Sequence, residues 1–333
     1  EMRAIAMTTN GTPTVLQPKD VISPKIKAPQ EILIRLRAAG INPIDTKLRR
    51  RGTFYPEQIP AILGCDGAGV VEAVGSEVSR FQVGDEVYFC HGGLGKKGTG
   101  NYAEYAVVDE RFVATKPQSL SFAEAAAAPL VLITAWEALY DRGRLEAGRR
   151  VLVHAGAGGV GHVAIQLAKL KGADVCTTVS GSQKVEFVKR LGATPIDYKA
   201  TDFVDAVNDW TNGEGVELAF DTVGGDNLEK TFPAVQLYGD VVTILNPAEN
   251  TNWKEARSRN LRIGLELMLT PQLTNNLEAQ LAQTKILEQC SRLIDQGGLK
   301  IHLNQTFPLE KAAEAHKTLE AGGMIGKLAL VME

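Results

Sequence analysis

The chain has 333 residues, 44% of them hydrophobic and 23% charged, which is apolar material for about two cores on a scale of roughly 150 residues per domain. Its 36 basic and 39 acidic side chains leave a formal net charge of −3, so nothing draws it generally to phosphodiester backbones or anionic lipid, and nucleic acid is not an expected partner. The longest nearly uncharged apolar run, around Ala125–Trp136, is far short of the ~20 residues of a spanning helix, and "MRAIAMTTNGTPTVL" at the start has no apolar leader core, so no membrane partner is expected either.

From Met2 to about Ala114 short β-type runs, "EILIRLRAAG", "AGVVEAVG", "VGDEVYF" and "NYAEYAVV", are broken by Gly and Pro turn signals, which predicts a mostly β domain over residues 1–124. Over residues 125–270 the rhythm changes. Strands "RVLVHA", "DVCTTV", "TPIDY", "VELAFDTV" and "YGDVVTIL" alternate with helical patterns, the signature of an α/β doubly wound parallel sheet. Residues 271–333 return to the first domain through a helix Leu277–Gln296, a strand "KIHLNQTF", a helix Leu309–Ala321 and a last strand "GKLALVM". The four cysteines, Cys65, Cys90, Cys176 and Cys290, lie far apart without a CxxC pair; this suits a reduced, cytoplasmic setting and argues against a closed structural zinc lobe.

"RRVLVHAGAGGVGHVAIQLAKL" places Gly156, Gly158 and Gly161 in a G-x-G-x-x-G between a strand and an amphipathic helix that starts near Gly159 and Val160. The first glycine permits a tight turn, the second lets the backbone approach a pyrophosphate, and the third allows close helix–strand packing, with free N–H groups of the helix start facing the phosphates. A dinucleotide site is therefore expected. After the second strand, where an NAD site usually places a carboxylate, stands "SGSQK". Ser180, Ser182 and Lys184 suit a 2′-phosphate, so the predicted cofactor is NADPH. Tyr198, after the third strand, either reaches the same ribose or adenine or packs as an ordinary aromatic, and Lys184 is either that phosphate ligand or a solvated helix residue.

"AAGINPIDTKLR", "ILGCDGAGVVEAVG", "FQVGDEV", "GNYAEYAVV", "ITAWEAL", "HAGAGGVG" and "GKLAL", in this order along the whole chain, resemble the zinc-free quinone oxidoreductase branch of the medium-chain dehydrogenase/reductase superfamily. The resemblance implies a GroES-like catalytic domain made of both chain ends, a Rossmann domain between them, and a homodimer whose Rossmann edge is "YGDVVTILNP". It also implies that the zinc-ligand positions of the metal-dependent relatives are held by Asn42, Cys65 and Leu130, of which only the cysteine is a ligand type, so no metal is expected. Without a Lewis acid the easier acceptors are quinones and α,β-unsaturated carbonyls. Asn42 is the expected donor to the acceptor oxygen or the nicotinamide ribose, the alternative being a fixed turn before Pro43; Tyr55, or Phe54 if the alignment slips by one, is the expected lining phenol.

Thr134, Asp221, Asn246 and Lys327 match positions beside the nicotinamide in that family. The basic run Lys47, Arg49, Arg50 and Arg51 is read as a solvated face, with a grip on coenzyme A phosphates, and hence an enoyl thioester reductase, as the alternative. His316, on a helical stripe with Ala312, Ala313 and Leu319, is read as a packed structural histidine, while Met268 and Leu94 are either pocket-lining or core. A zinc-type alcohol dehydrogenase and a nucleotide-binding protein with a non-enzymatic role are the remaining alternatives.

Overall fold

The computed structural model describes residues 1–333 and divides into two compact units, 1–130 with 271–297 and 301–333, and 131–270 with 298–300. In chain order the first unit opens with β1 (Met2–Ala6), β2 (Gln17–Val21), β3 (Glu31–Ile41), α1 (Pro43–Arg51), β4 (Asp66–Val74), β5 (Glu86–Cys90), β6 (Tyr105–Asp109), β7 (Ala114–Thr115) and α2 (Phe122–Ala127). Helix α3 (Pro129–Trp136) crosses into the second unit, which continues with β8 (Arg150–Val153), α4 (Gly159–Leu170), β9 (Asp174–Val179), α5 (Ser182–Arg190), β10 (Thr194–Asp197), α6 (Phe203–Trp210) and β11 (Val216–Asp221). There follow α7 (Asn227–Thr231), β12 (Val235–Thr243), α8 (Lys254–Ser258), β13 (Arg262–Leu265) and α9 (Thr270–Leu273), and then the first unit resumes with α10 (Leu277–Asp295), β14 (Leu303–Pro308), α11 (Ala312–Ala321) and β15 (Lys327–Val331). No helix is long and apolar enough to cross a membrane.

The first unit is built on a sheet of order β14-β15-β3-β4-β5-β7, with β6 also on β3, beside a two-stranded β1-β2 ribbon. Strand β3 buries Ile32, Ile34 and Leu36 and turns Arg35 and Arg37 outward, the alternation of a sheet with one wet face. Near its end Gly40 lets α2 sit directly on the strand, since a Cβ there would stand 2.3 Å from the carbonyl oxygen of Ala126. That contact places residues 125–130 in the first unit, whereas the change of sequence rhythm assigns them to the second. Alanine-rich text reads as a helix whichever sheet it covers.

The second unit is a parallel sheet of order β10-β9-β8-β11-β12-β13. Its central strands are buried almost end to end, as helices on both faces require, with Val151–Val153 and Leu218–Asp221 essentially without exposed surface. The edge strands are β10 and β13, and β12 is covered by β13 in parallel, so the expectation that "YGDVVTILNP" forms the edge is corrected. The text "RIGL" carries too short and weak a pattern to announce a strand.

Candidate active site

In the second unit β8 ends at Val153 and the chain turns through residues 154–158 into α4. Strand β9 clamps the turn: the N–H of Ala155 donates to Thr178 Oγ1 (3.0 Å), that of Gly156 to the Thr178 carbonyl (3.1 Å), and the Thr177 hydroxyl to the Val153 carbonyl (2.7 Å). Ala155 adopts a left-handed φ of 54°, which costs an ordinary residue ~1–2 kcal/mol and is held only because these bonds over-determine the loop. Side chains are barred on the inner side. A Cβ on Gly156 would meet Thr177 Oγ1 at 2.0 Å, and one on Gly161 the Ala155 carbonyl oxygen at 2.1 Å.

Gly158 faces the other way, and the nearest atom to a Cβ there is the Ala155 carbonyl oxygen at 3.4 Å. The first bond closing α4 runs from the N–H of His162 to the carbonyl of Gly158 (3.1 Å), which leaves the N–H groups of Gly159, Val160 and Gly161 without backbone partners. Three aligned donors beside a surface kept free of side chains fit a diphosphate. His154, at the strand end, is spent on the frame: its ring nitrogens meet Thr178 Oγ1 (3.2 Å) and Thr231 Oγ1 (2.9 Å), and burial pushes its pKa down to about 4.

The start of α5 follows the same logic on the neighbouring strand. Gly181, with φ 93°, is its N-cap, Ser180 precedes it, and Lys184 sits in the first turn, half-buried and in no ion pair. Residues 180–184 hold no carboxylate. Tyr198, half exposed, donates its N–H to the Val179 carbonyl (3.1 Å), which holds the residue at the end of β9.

Two other expected cofactor residues are engaged differently. Asp221, at the end of β11, is completely buried and accepts from the N–H groups of Val223 (3.0 Å) and Gly224 (3.1 Å), from Asn227 Nδ2 (2.8 Å) and from Thr243 Oγ1 (2.8 Å). The expectation of a cofactor ligand is corrected: this carboxylate organises its own loop. Asn246 is exposed beyond β12, and its carbonyl accepts the N–H of Gly225 (3.0 Å). Thr134, on α3, is buried, and its hydroxyl has no hydrogen-bond partner in the protein. Such orphans are rare in folded proteins, and this one is available to a ligand.

The first unit holds a buried polar cluster around the β3–α1 junction. Asn42 is the N-cap of α1, and its N–H donates to Asp45 Oδ2 (2.8 Å). Its Nδ2 donates to Asp66 Oδ2 (3.0 Å), and its Oδ1 accepts from Lys327 Nζ (2.6 Å), which also donates to the carbonyl of Ile41 (2.8 Å). Asp66 further accepts the N–H of Leu130 (3.0 Å), and the Cys65 thiol contacts Asp45 Oδ1 (3.7 Å). Burial raises Asp45 to about 7 and Asp66 to about 6, each pulled back by its donors and by Lys327, while burial followed by the charges of Asp45 and Asp66 pushes the Cys65 thiol far above its usual value.

Both ends of the Asn42 amide are taken up within the protein, by Asp66 and by Lys327, so the expected oxyanion donor is corrected to a residue that caps and positions α1. Lys327, expected beside the cofactor, is likewise spent inside this cluster.

A second chain of bonds leads outward from Asp45, which also takes a hydrogen bond from Tyr102. The Tyr102 hydroxyl lies 3.0 Å from His316 Nε2, and His316 Nδ1 lies 3.1 Å from Arg49 Nη1, which pairs with Glu320. A guanidinium can only donate, so Nδ1 is the acceptor, Nε2 carries the proton and donates to Tyr102, and the phenol proton points to Asp45. Arg49 is 1% exposed, which overturns the reading of the whole basic run as a solvated face; only Arg50 and Arg51 lie outside, with Lys47 half-buried. His316 is the packed, bonded histidine expected. Sequence missed Asp45, Asp66 and Tyr102 as members of one cluster, although the Asn-x-x-Asp spacing of a helix cap was a signal for the first.

Tyr55 lies on the loop after α1, half-buried, its hydroxyl bonded to no protein atom, while Phe54 beside it is 47% exposed and ties the loop to the Leu94 carbonyl (3.1 Å). Leu94 and Met268 are buried.

Residues 28–118 match the family described as alcohol dehydrogenase GroES-like domain, and residues 191–330 that described as zinc-binding dehydrogenase. A quinone oxidoreductase of Pseudomonas aeruginosa is 33% identical over 99% of both chains. The chain belongs to the quinone oxidoreductase family. A 2-methylene-furan-3-one reductase of Solanum lycopersicum is 35% identical over 99% of this chain and 79% of its own. Among solved structures, the Escherichia coli quinone oxidoreductase complexed with NADPH matches with a TM-score of 0.86 and 30% identity, covering 99% of this chain and 100% of that one.

The zinc in the second family description does not fit these residues. The Leu130 side chain offers no ligand atom, the Asn42 amide is committed to Asp66 and Lys327, and the ammonium of Lys327 already lies beside it, which leaves Cys65 as the one ligand type of the three.

Proposed function

We propose that this member of the quinone oxidoreductase family is an NADPH-dependent reductase of quinones or α,β-unsaturated carbonyls that works without a catalytic metal. The observation that carries the cofactor is the pair of helix starts in the second unit: three free N–H groups at Gly159–Gly161, and an unpaired Lys184 with Ser180 where no carboxylate stands. The N–H groups hold the diphosphate, and Lys184 with Ser180 and Ser182 holds the 2′-phosphate that distinguishes NADPH from NADH. Thr134, whose buried hydroxyl has no protein partner, takes a polar group of the cofactor, and Tyr198 and Asn246 border it. Bound NADPH supplies the hydride. On the acceptor, negative charge grows on a carbonyl oxygen, and the Tyr55 hydroxyl is the donor that meets it.

The substrate is a small molecule. The enzyme is cytoplasmic, in keeping with four cysteines that are all free and buried. It pairs as a homodimer through β13, an edge strand whose Leu265 is exposed, as are Leu267 just after it and Leu237 and Tyr238 on the neighbouring β12.

The test mixes purified protein with NADPH or NADH and a panel of quinones, 2-alkenals and enones, following absorbance at 340 nm, with metal content measured on the same sample. Turnover with NADPH in a chelator-treated sample supports the proposal. A flat trace for every acceptor despite NADPH binding would make this a non-enzymatic nucleotide binder, and activity lost with a stoichiometric metal would make it a zinc enzyme.

A further inference from the structure

The residues that match the ligand positions of the metal-dependent relatives are gathered in the first unit, yet what holds them together is a lysine and a carboxylate. Lys327, on β15, is 3% exposed and donates to Ile41 and Asn42 on the β3–α1 junction; Asp66, on β4, accepts from Asn42 and from Leu130. Four separated stretches of chain therefore meet through one ammonium, one amide and one carboxylate. The amide has a single workable orientation, because flipping it would turn Nδ2 toward the ammonium and Oδ1 toward Asp66, pairing donor with donor and acceptor with acceptor.

The electrostatics close in the same way. Every ionisable group recorded around Lys327 is acidic in type: Asp66 and Cys65 from β4 and the residue before it, Asp45 from α1, and Cys90 from β5. Tyr102 and, behind it, His316 and Arg49 lie on the far side of Asp45. No second ammonium or guanidinium touches Asp66.

We infer that Lys327 is a built-in counter-ion of the first unit: it neutralises Asp66 and Asp45 and ties β15, the β3–α1 junction, β4 and Leu130 together. Its role is that of a positioning residue. It follows that Lys327 and Asp66 are energetically coupled, since each lowers the cost of burying the other. It also follows that Lys327 is no cofactor ligand.

The experiment is a double-mutant cycle with Lys327→Met, Asp66→Asn and the double variant, each followed by thermal unfolding at pH 7.5 and by NADPH titration. Lys327→Met strands a buried carboxylate, and its unfolding midpoint falls on the order of 10 °C. Asp66→Asn keeps an oxygen acceptor for Asn42 and Leu130 while removing the charge, so the double variant regains at least half of that loss, and its NADPH dissociation constant stays within about threefold of the parent.

A double variant no more stable than Lys327→Met, whether folded or not, overturns the inference, because a lysine that merely fills space gains nothing from neutralising Asp66. A tenfold weaker NADPH affinity in the folded double variant also overturns it, by restoring a cofactor role to Lys327. The nucleotide arm rests on the NADPH reading above, and its failure is recognisable: a parent that binds no NADPH sinks that reading while the unfolding cycle still decides the role of the cation.

Discussion

Two glycines three residues apart, one the N-cap of α4 and one in its first turn, separate packing from binding. In Gly161→Ala the new methyl meets the Ala155 carbonyl oxygen at 2.1 Å, so that oxygen must retreat by about 1 Å or more to reach ordinary contact. It belongs to a residue already in the left-handed region and clamped by Thr178, so the retreat breaks something. Overpacking costs about 1–3 kcal/mol, here at the upper end because the obstructing atom is clamped backbone, and alanine returns ~1 kcal/mol of helix propensity, leaving a net loss of about 2 kcal/mol and an unfolding midpoint lower by several degrees.

In Gly158→Ala the methyl meets nothing closer than 3.4 Å, and the backbone at φ −78° and ψ −178° suits any residue. Stability stays within about 1 kcal/mol, the small difference between the two residues at an N-cap. The methyl nevertheless fills the side where the diphosphate approaches. Loss of one or two charge-assisted bonds at ~1.5–3 kcal/mol each weakens NADPH binding by about 10- to 10²-fold or more. Thermal unfolding and a fluorescence titration with NADPH on both variants make the comparison. Gly158→Ala binding NADPH as tightly as the parent would refute the placement of the diphosphate, and Gly161→Ala unfolding at the parent temperature would refute the account of helix–strand approach.

Replacing Lys184 with Ala lowers kcat/KM for NADPH by about 10-fold or more and leaves the NADH value within about twofold, because only the 2′-phosphate loses a bond; equal losses for both cofactors would remove Lys184 from that site. Tyr55→Phe lowers kcat by about 10²-fold with little change in the midpoint of unfolding if its hydroxyl meets the developing oxyanion, and an unchanged kcat would exclude it. Arg49→Met costs on the order of 3 kcal/mol in denaturant unfolding, since it strands His316 Nδ1 and the Gly11 carbonyl indoors, whereas Arg50→Ala costs under ~1 kcal/mol.

The pH dependence of His316 has a defined sign. Burial and then the charge of Arg49 lower its folded pKa to about 3, below the ordinary imidazole value of 6.5, so its contribution to stability is full above about 6.5 and is lost progressively as pH falls toward 3. The stability difference between the parent and His316→Gln therefore shrinks on acidification through that window, and a difference that stays constant with pH would contradict the neutral, Nε2-protonated ring.

Much of the frame is local and so was legible in the sequence. Strand β8, the glycines of the turn and the start of α4 at Gly159 follow from hydrophobic period and from backbone approaches that only glycine permits, and both are written in consecutive residues. The absence of a carboxylate after β9, on which the choice of NADPH rests, is equally a matter of neighbours in the chain. The edge of the sheet was not, because whether β12 or β13 stands outermost depends on which short strand finds a partner.

The charged residues were least legible. Nothing in "TKLRRRG" says that its first arginine turns inward to a histidine 267 positions away while the next two face water. Nor does "GKLAL" disclose that its lysine lies against Asn42 and Asp66 rather than a nucleotide. A side chain of one type is a solvated charge, a ligand or an internal counter-ion according to what surrounds it. By itself the sequence determined the alternation of strands and helices from β8 to β12 and the shape of the phosphate loop, since those obey short-range sterics and periodicity. Only the tertiary structure decided which ionisable groups lost their water, because desolvation and pairing depend on segments brought together by the sheet from opposite ends of the chain.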